Sequence, residues 1–596
     1  MRIAYKNNRV EKTLTVVKAI TSAMVVASFV TLFGFDEPFV PLPILFRIQI
    51  GMLCVFLIGK TVRFFNAVSK KEYVVANWFE IPMLLALGII VLGSGRWFGE
   101  TEPSRVRHLA VGVYLIIEVT VKVCMSSVSL AASGKNPTGT LIASFVVLIA
   151  TGAGLLMLPR ASAGAPLSFV DALFTATSAT CVTGLVVKDT GTDFTFMGQV
   201  IILVLIQLGG LGIVVSGAVF ALLLGQAFSI RESVAMQDLL SAQTLSRIGN
   251  MIVFIFVSTL TIEAAGAALL YPMWDNVPGW QGDAHFRWFC SIFHSISAFC
   301  NAGFGLFRDS LIRYNRQWQT YVVICPLIIL GGLGFSVLYN LANMAANRIQ
   351  RFFVKHFTRR YQLQMDIPKR MRLQTKVVLS VSAALIVFGT LTILLFERYT
   401  GRSVAGRSPD VLAALFQSVT ARTAGFNTVE IAAMTPSSKI VLMLLMFIGG
   451  SPGSSAGGIK TVTLAVIVMT VIATLRKRAE VEMFRRTVRL VVVGRAITVA
   501  LLFAVVLFIT MLALSVTEGP LSGDFTMLDL MFESASALGT VGLSTGVTPT
   551  LTTAGKAIII VVMLIGRLGP LTLLAALTFN LKPIRYNYPD EALIVG

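Results

Sequence analysis

Charged side chains are scarce in this 596-residue chain: they make up 13% of it, and acids are the rarer sign, with 29 Asp and Glu against 49 Lys and Arg. So little charge cannot cover the surface of a soluble protein of this length. Histidine is rarer still. His108, His285, His294 and His356 lie far apart and form no local cluster, which argues against metal ligation and against His-based catalysis. The six cysteines (Cys54, Cys124, Cys181, Cys290, Cys300 and Cys325) show no CxxC pair and no Cys/His spacing suited to a metal, so most read as small apolar fillers. A phosphate-cradling loop, a nucleophile elbow and paired catalytic carboxylates are all missing from the sequence, which therefore points away from an enzyme.

Apolar residues are what the chain has in excess: 55% of positions, with a mean hydropathy of +0.81. Runs long enough to cross about 30 Å of hydrocarbon, roughly 20 residues each, recur along the whole length. A cleaved signal peptide cannot explain them. The expected fold is therefore an all-α polytopic membrane protein.

The net charge of +20 resembles a nucleic-acid signature until its distribution is read. One cluster is Arg348, Arg351, Lys355, Arg359, Arg360, Lys369, Arg370, Arg372 and Lys376, against the single acid Asp366. A second is Arg476, Lys477, Arg478, Arg485, Arg486, Arg489 and Arg495, and a third is Arg2, Lys6, Arg9 and Lys12. All lie between or before apolar spans, the positive-inside pattern, so topology and contact with anionic lipid account for most of the charge. Docking of a cytosolic partner is the second reading; nucleic acid is not expected.

Applied along the chain, that rule places four N-terminal helices near 14–34, 43–61, 75–95 and 108–131, with Lys60, Arg63, Lys70, Lys71 and Lys135 inside. None carries the basic residue at every third position that a voltage sensor needs; lipid-facing packing or a dimer contact is the expectation. Four units of span, re-entrant hairpin and span follow. Their first spans lie near 139–159, 251–271, 376–396 and 495–516, and their second near 199–224, 318–345, 438–474 and 556–580. Twelve spans put both termini in the cytoplasm of a cell membrane protein. The expected domains are a 1–135 extension and pore repeats at 136–245, 246–370, 371–490 and 491–596.

The repeats rest on their hairpins. Phe174–Leu185, Phe293–Phe304, Phe416–Phe426 and Phe532–Leu543 each run from an apolar start through Ser and Thr to Gly followed by Leu or Phe. Their glycines, Gly184, Gly303, Gly425 and Gly542, are spaced by 119, 122 and 117 residues. About ten residues form a half-helix too short to cross, with its partially negative C-terminal end favouring a cation. The non-helical tail is tolerated at membrane depth only beside protein or a water-filled cavity. Neutral tails leave backbone carbonyls to replace an ion's water, and glycine permits the positive φ that lines them up. The ligand implied is a weakly hydrated monovalent cation, held by Val182, Thr183 and Gly184; Asn301, Ala302 and Gly303; Thr423, Ala424 and Gly425; and Thr540, Val541 and Gly542. In the third hairpin Phe416 precedes its glycine by nine residues instead of ten, so its half-helix is expected to be one residue shorter.

These loops, with GGLG at 209–212 and 331–334 and GGSPGSSAGGIK at 449–460, resemble the Trk/Ktr/HKT superfamily of potassium transporters, specifically the bacterial TrkH/KtrB-like membrane subunits. The likeness covers roughly 130–590. It implies four membrane-pore-membrane repeats imitating a tetrameric channel, with the four glycines in the selectivity filter. Plant relatives that favour sodium carry serine at the first, so Gly184 implies potassium, K+ being the transported ion at the filter residues. The resemblance further implies a homodimer on a ring of cytosolic RCK regulators. ATP, ADP or NAD dependence then belongs to that separate subunit, with no cofactor in this chain. Arg422, three residues before Gly425, is common in the family and points away from the ion path there.

The stretch Gly449, Gly450, Ser451, Pro452, Gly453, Ser454, Ser455, Ala456, Gly457, Gly458 and Lys460 interrupts an apolar segment whose halves are too short to span alone. It reads either as the family's intramembrane gating loop or as a packing kink. Arg567, near mid-membrane in the last span, is costly there and hence functional; in the family it contacts the gating loop and sets a positive barrier beneath the filter. Lys460 either belongs to the gate or reaches for the interface. Glu263 either bonds a neighbouring hairpin or snorkels outward, and Glu533 suits a stabilising N-terminal acid of the fourth half-helix. Two other classes stay open: a cation-coupled secondary transporter, which also uses broken helices, and a membrane scaffold.

Overall fold

The computed structural model describes residues 6–77 apart from 36 and 38, parts of 83–89 and of 110–118, 137–212, 248–357 apart from 276 and 278–281, 371–399, 410–518 and 525–570. Two long N-terminal helices come first, α1 (Asn8–Gly34) and α2 (Leu42–Asn66), followed by the short α3 (Lys70–Ala76). The expected spans at 75–95 and 108–131 lie largely outside the described residues, as do 213–224, 571–580, Lys135 and the basic positions 359, 360, 369 and 370. Glu118 is described, and its carboxylate joins Lys18 (2.6 Å) and Lys60 (2.8 Å), tying α1 to α2 by a buried ion pair network.

Four units of one pattern follow. In the first, α4 (Pro137–Leu156) leads to the half-helix α5 (Phe169–Thr180) and then α6 (Phe196–Leu211). In the second, α7 (Ile248–Leu270) leads to the half-helix α8 (Ala284–Cys300), then to α9 (Cys325–Leu333) and α10 (Phe335–Phe357). In the third, α11 (Leu373–Tyr399) leads to the half-helix α12 (Val411–Thr420), then to α13 (Pro436–Phe447) and α14 (Thr461–Leu475). A small antiparallel hairpin, β1 (Val481–Met483) and β2 (Arg486–Val488), precedes the fourth: α15 (Leu490–Glu518), the half-helix α16 (Met527–Gly539) and α17 (Thr553–Leu568). Among the described residues five helices are long and apolar enough to cross a membrane, including α1, α2, α11 and α15.

Each half-helix packs on the second span of its own unit and of the unit before it: α5 meets α6 and α17, α8 meets α6 and α9, α12 meets α9 and α13, and α16 meets α13 and α17. The order closes on itself, so the half-helices form a ring. Its innermost packing uses the two apolar ends of every hairpin. Phe174, Phe293, Phe416 and Phe532 are wholly buried, as are Leu185, Phe304, Phe426 and Leu543 after the glycines. Two ion pairs stitch neighbouring units near the half-helix N-termini, Lys439 with Asp529 (3.1 Å) and Lys556 with Asp171 (2.7 Å).

The second spans are less continuous than their apolar runs suggest. The segment read as one span at 318–345 is bent by 105° between Leu333 and Phe335. Gly334 at the bend has φ 87 and ψ 143, and Gly212 after α6 (φ 83, ψ 132) and Gly569 after α17 (φ 83, ψ 136) share this conformation. It is open in practice only to glycine. Helical hydrophobicity continues past the glycine, which is why the sequence conceals the break.

Because the hairpin phenylalanines are fully enclosed, Phe416→Ala is expected to cost about 3–5 kcal/mol. Thermal unfolding of the detergent-solubilised protein should fall accordingly; truncating the exposed Phe508 (57% exposed) should change it little.

Candidate functional site

At the end of each half-helix the chain turns through the same three-residue geometry. Val182 (φ 57), Asn301 (φ 59), Thr423 (φ 81) and Thr540 (φ 50) are left-handed, and so are the glycines two residues later, Gly184 (φ 91), Gly303 (φ 70), Gly425 (φ 80) and Gly542 (φ 95). Thr183, Ala302, Ala424 and Val541 between them are not. Alternating the sign of φ makes successive carbonyls face one way. Asparagine tolerates the left-handed region; β-branched valine and threonine do not, and strain of this kind concentrates at functional positions.

The four glycines meet one another in cyclic order. A Cβ on Gly184 would lie 2.9 Å from Gly303 Cα, one on Gly303 3.0 Å from Gly425 Cα, one on Gly425 3.2 Å from Gly542 Cα, and one on Gly542 3.0 Å from Gly184 Cα. Carbon atoms in contact sit at 3.5–4.0 Å, so no side chain fits at any corner. All twelve residues singled out from the sequence therefore converge on one small ring. The Thr183, Thr423 and Thr540 hydroxyls are buried there without a hydrogen-bond partner.

A second set of residues supports this ring and was not singled out from the sequence. Four residues after each hairpin phenylalanine stands a hydroxyl: Ser178, Ser297, Thr420 and Ser536. Ser178 and Ser536 each accept from the N–H of the ring glycine (3.1 Å both). Ser297 donates to Phe304 O and Thr420 to Phe426 O (2.7 Å both). The constant interval from phenylalanine to hydroxyl was the available signal. The third hairpin is the short one, as expected, and it loses length in its half-helix: α12 ends at Thr420, before the turn begins in any other unit relative to its phenylalanine. Ala424 N bonds to Thr420 O, four residues back, whereas Thr183, Ala302 and Val541 bond five back.

One residue beyond the phenylalanine, in the second and fourth hairpins, another side chain braces the ascending strand. His294 receives the Leu306 N–H at 3.5 Å, and Glu533 bonds Ser544 and Thr548 (3.0 Å for the latter). Glu533 is thus a brace deep in α16; the N-terminal acid of that helix is Asp529, in a capping box with Thr526. Arg422 turns to Ser382 of α11 (3.0 Å to Oγ), away from the ring. Glu263 accepts from Gln207 of α6 (3.2 Å) and packs against the Cys300 side chain at the end of α8, so it turns inward to two side chains, meeting neither hairpin backbone nor the interface. Among the described residues no group of three His, Cys, Asp or Glu is placed to hold a metal.

The segment Gly449 to Lys460 lies against the end of α9 and hairpins two and four. Ser451 N donates to Gly332 O (3.0 Å), Phe335 N to Gly453 O (3.0 Å), and Ser455 Oγ lies 3.4 Å from Phe299 O. Gly457 touches Thr540, leaving no room for a Cβ. Lys460 curls back, its ammonium 2.7 Å from Ala456 O. Arg567 donates to Ser455 O, to Gly209 O (2.5 Å) and to Gly210 O (3.3 Å), so one guanidinium of the fourth unit holds the third and the first.

Its origin becomes legible once GGLG is understood. Gly209, Gly331 and Gly566 each press on a carbonyl at the end of their own half-helix (Thr180, Phe299 and Leu538), while Gly212, Gly334 and Gly569 break the helix three residues later. The fourth copy is therefore GRLG at 566–569, and Arg567 stands where the first two units have Gly210 and Gly332.

Comparison with known proteins follows the same outline. The family model described as TrkH, cation transport protein, matches residues 106–582. The chain is 38% identical over 464 residues to the Ktr system potassium uptake protein B of Bacillus subtilis, covering 77% of this chain and 97% of that protein. It is 36% identical to the potassium/sodium uptake protein NtpJ of Enterococcus hirae, again over 77% of this chain and 97% of the relative. The crystal structure of the potassium transporter TrkH from Vibrio parahaemolyticus superposes with a TM-score of 0.56 at 19% identity, covering 85% of this chain and 97% of that one, a likeness of fold.

The hydroxyl supports predict a stability pattern. Ser297→Ala and Thr420→Val leave buried carbonyls unpaired and should each cost about 1–3 kcal/mol. Thr177→Val, removing a hydroxyl that bonds only its own helix at Leu173 O, should cost less in the same thermal assay.

Proposed function

This chain belongs to the TrkH cation transport family, and we propose on that premise that it is the membrane subunit of a potassium uptake system. It is a multi-pass membrane transporter and not an enzyme. In our reading K+ enters from outside, sheds water at the carbonyls of residues 182–184, 301–303, 423–425 and 540–542, and passes a gate made by 449–460 and Arg567. The observation that carries this reading is the closed order of four side-chain-free glycines, each preceded by alternating φ. Such a ring presents neutral oxygens to a dehydrated monovalent cation. Unpartnered threonine hydroxyls offer further oxygens at the same level. Inward flux follows the electrochemical gradient, about 2.3 kcal/mol per charge per 100 mV.

The organisation proposed with it is a 1–135 extension followed by four pore repeats, both termini cytoplasmic, in a homodimer. The relative from Bacillus subtilis is named as part of a Ktr system, which supports a partner subunit; we assign that role to an RCK-type ring that carries any nucleotide. Because the Enterococcus hirae relative is named for both ions, sodium is the competitor to measure.

Reconstituted protein should take up K+ or Rb+ in preference to Na+, and Gly184→Ser should reduce that preference without loss of expression. Unchanged selectivity would sink the ring model; saturable proton-linked exchange would favour a secondary transporter, and absence of flux in every partner context a scaffold. Arg567→Gln, removing a positive charge and the guanidinium's bonds to Ser455 of the loop and to Gly209 and Gly210 of α6, should raise K+ flux several-fold at unchanged ion preference.

A further inference from the structure

Away from the ring, an apolar groove of about 510 Å³ runs between α11 and α14. Val377, Val381, Leu385 and Phe388 line it on α11, with Leu464 and Val468 opposite on α14. Its one polar lining side chain, Ser380, is satisfied within its own helix by Lys376 O at 2.8 Å. From Val377 to Phe388 the helix rises about 16 Å, close to half of the ~30 Å hydrocarbon thickness. The groove is one leaflet deep.

Its mouth is built by the β1–β2 hairpin. Met483 pairs with Arg486, which leaves Phe484 and Arg485 as a two-residue loop, and both are left-handed, at φ 48 and φ 62. Turns of this type favour Asn-Gly. Keeping Phe and Arg there strains the backbone, and strain held in place by its surroundings points to a task for the two side chains. Phe484 lines the groove yet stays 54% exposed. Lys376 Nζ stands 6.0 Å from the centre of its ring, and Arg485 and Arg486 are exposed beside it. An apolar slot of leaflet depth thus ends in an aromatic ring and a cluster of cations.

That combination matches a phospholipid with a negatively charged headgroup. We propose that the groove holds one acyl chain of an anionic phospholipid, its phosphate bound by Lys376 and Arg485. A second copy of the chain fits the face less well, since a twofold contact would bring the same cations together. The assignment depends on α11 and α14 lying in a membrane and is independent of the ion path.

The test is fluorescence of the full-length Phe484→Trp variant in vesicles, the signal of the unaltered chain being subtracted, with brominated lipid as quencher. Brominated phosphatidylglycerol in a phosphatidylcholine background should quench more strongly than brominated phosphatidylcholine at the same content. Adding Lys376→Gln or Arg485→Gly should weaken the phosphatidylglycerol preference about five-fold each, from roughly 1 kcal/mol per basic side chain at a membrane surface. Glycine relaxes the turn, so Arg485→Gly removes the charge without endangering the hairpin. Equal quenching by the two lipids would overturn the proposal. So would quenching by neither, which would mean that protein covers the groove.

Discussion

Backbone from four separate parts of the chain approaches so closely at Gly184, Gly303, Gly425 and Gly542 that none of the four can carry a side chain, and the rest of the ring is arranged around that approach. Carbonyls brought this near to each other repel unless something fixes them. The buried phenylalanines anchor where each half-helix starts, the hydroxyls of Ser178, Ser297, Thr420 and Ser536 tie the returning strand to the helix, and Gly209, Gly331 and Gly566 let the second spans press on the half-helix ends. Removing any one support loosens a corner whose position its neighbours depend on.

The four units solve the same geometric problem with different residues. Histidine braces the ascending strand in the second and glutamate in the fourth, at equivalent positions. The third shortens its half-helix, sends a buried arginine toward α11, and replaces the compact glycine break by the longer segment from Gly449 to Lys460. Asymmetry of this order is open only to a ring whose quarters lie on one chain and vary independently.

Much of this was legible beforehand. Apolar runs marked the spans, the near-constant spacing of four glycines marked the ring, and an arginine within an apolar run marked Arg567. Other features escaped for identifiable reasons. The breaks at Gly212, Gly334 and Gly569 fall inside continuous apolar sequence, where hydropathy does not register backbone conformation. Glu533 lies near enough to a helix start to pass for a dipole partner, while its true partners, Ser544 and Thr548, lie beyond the turn. Glu263 depends on Gln207 in a different unit, a pairing that spacing along the chain does not encode.

Arg567 reaches carbonyls that belong to two other units while rooted in its own. A latch fastened at several points does not yield by degrees: a tremor that frees one bond leaves the others to pull the guanidinium back before the segment can travel. Under the proposed function, passage beneath the ring is then governed by rare, simultaneous release, and its leak when shut is set by the joint improbability of those losses and not by the softest helix in the molecule.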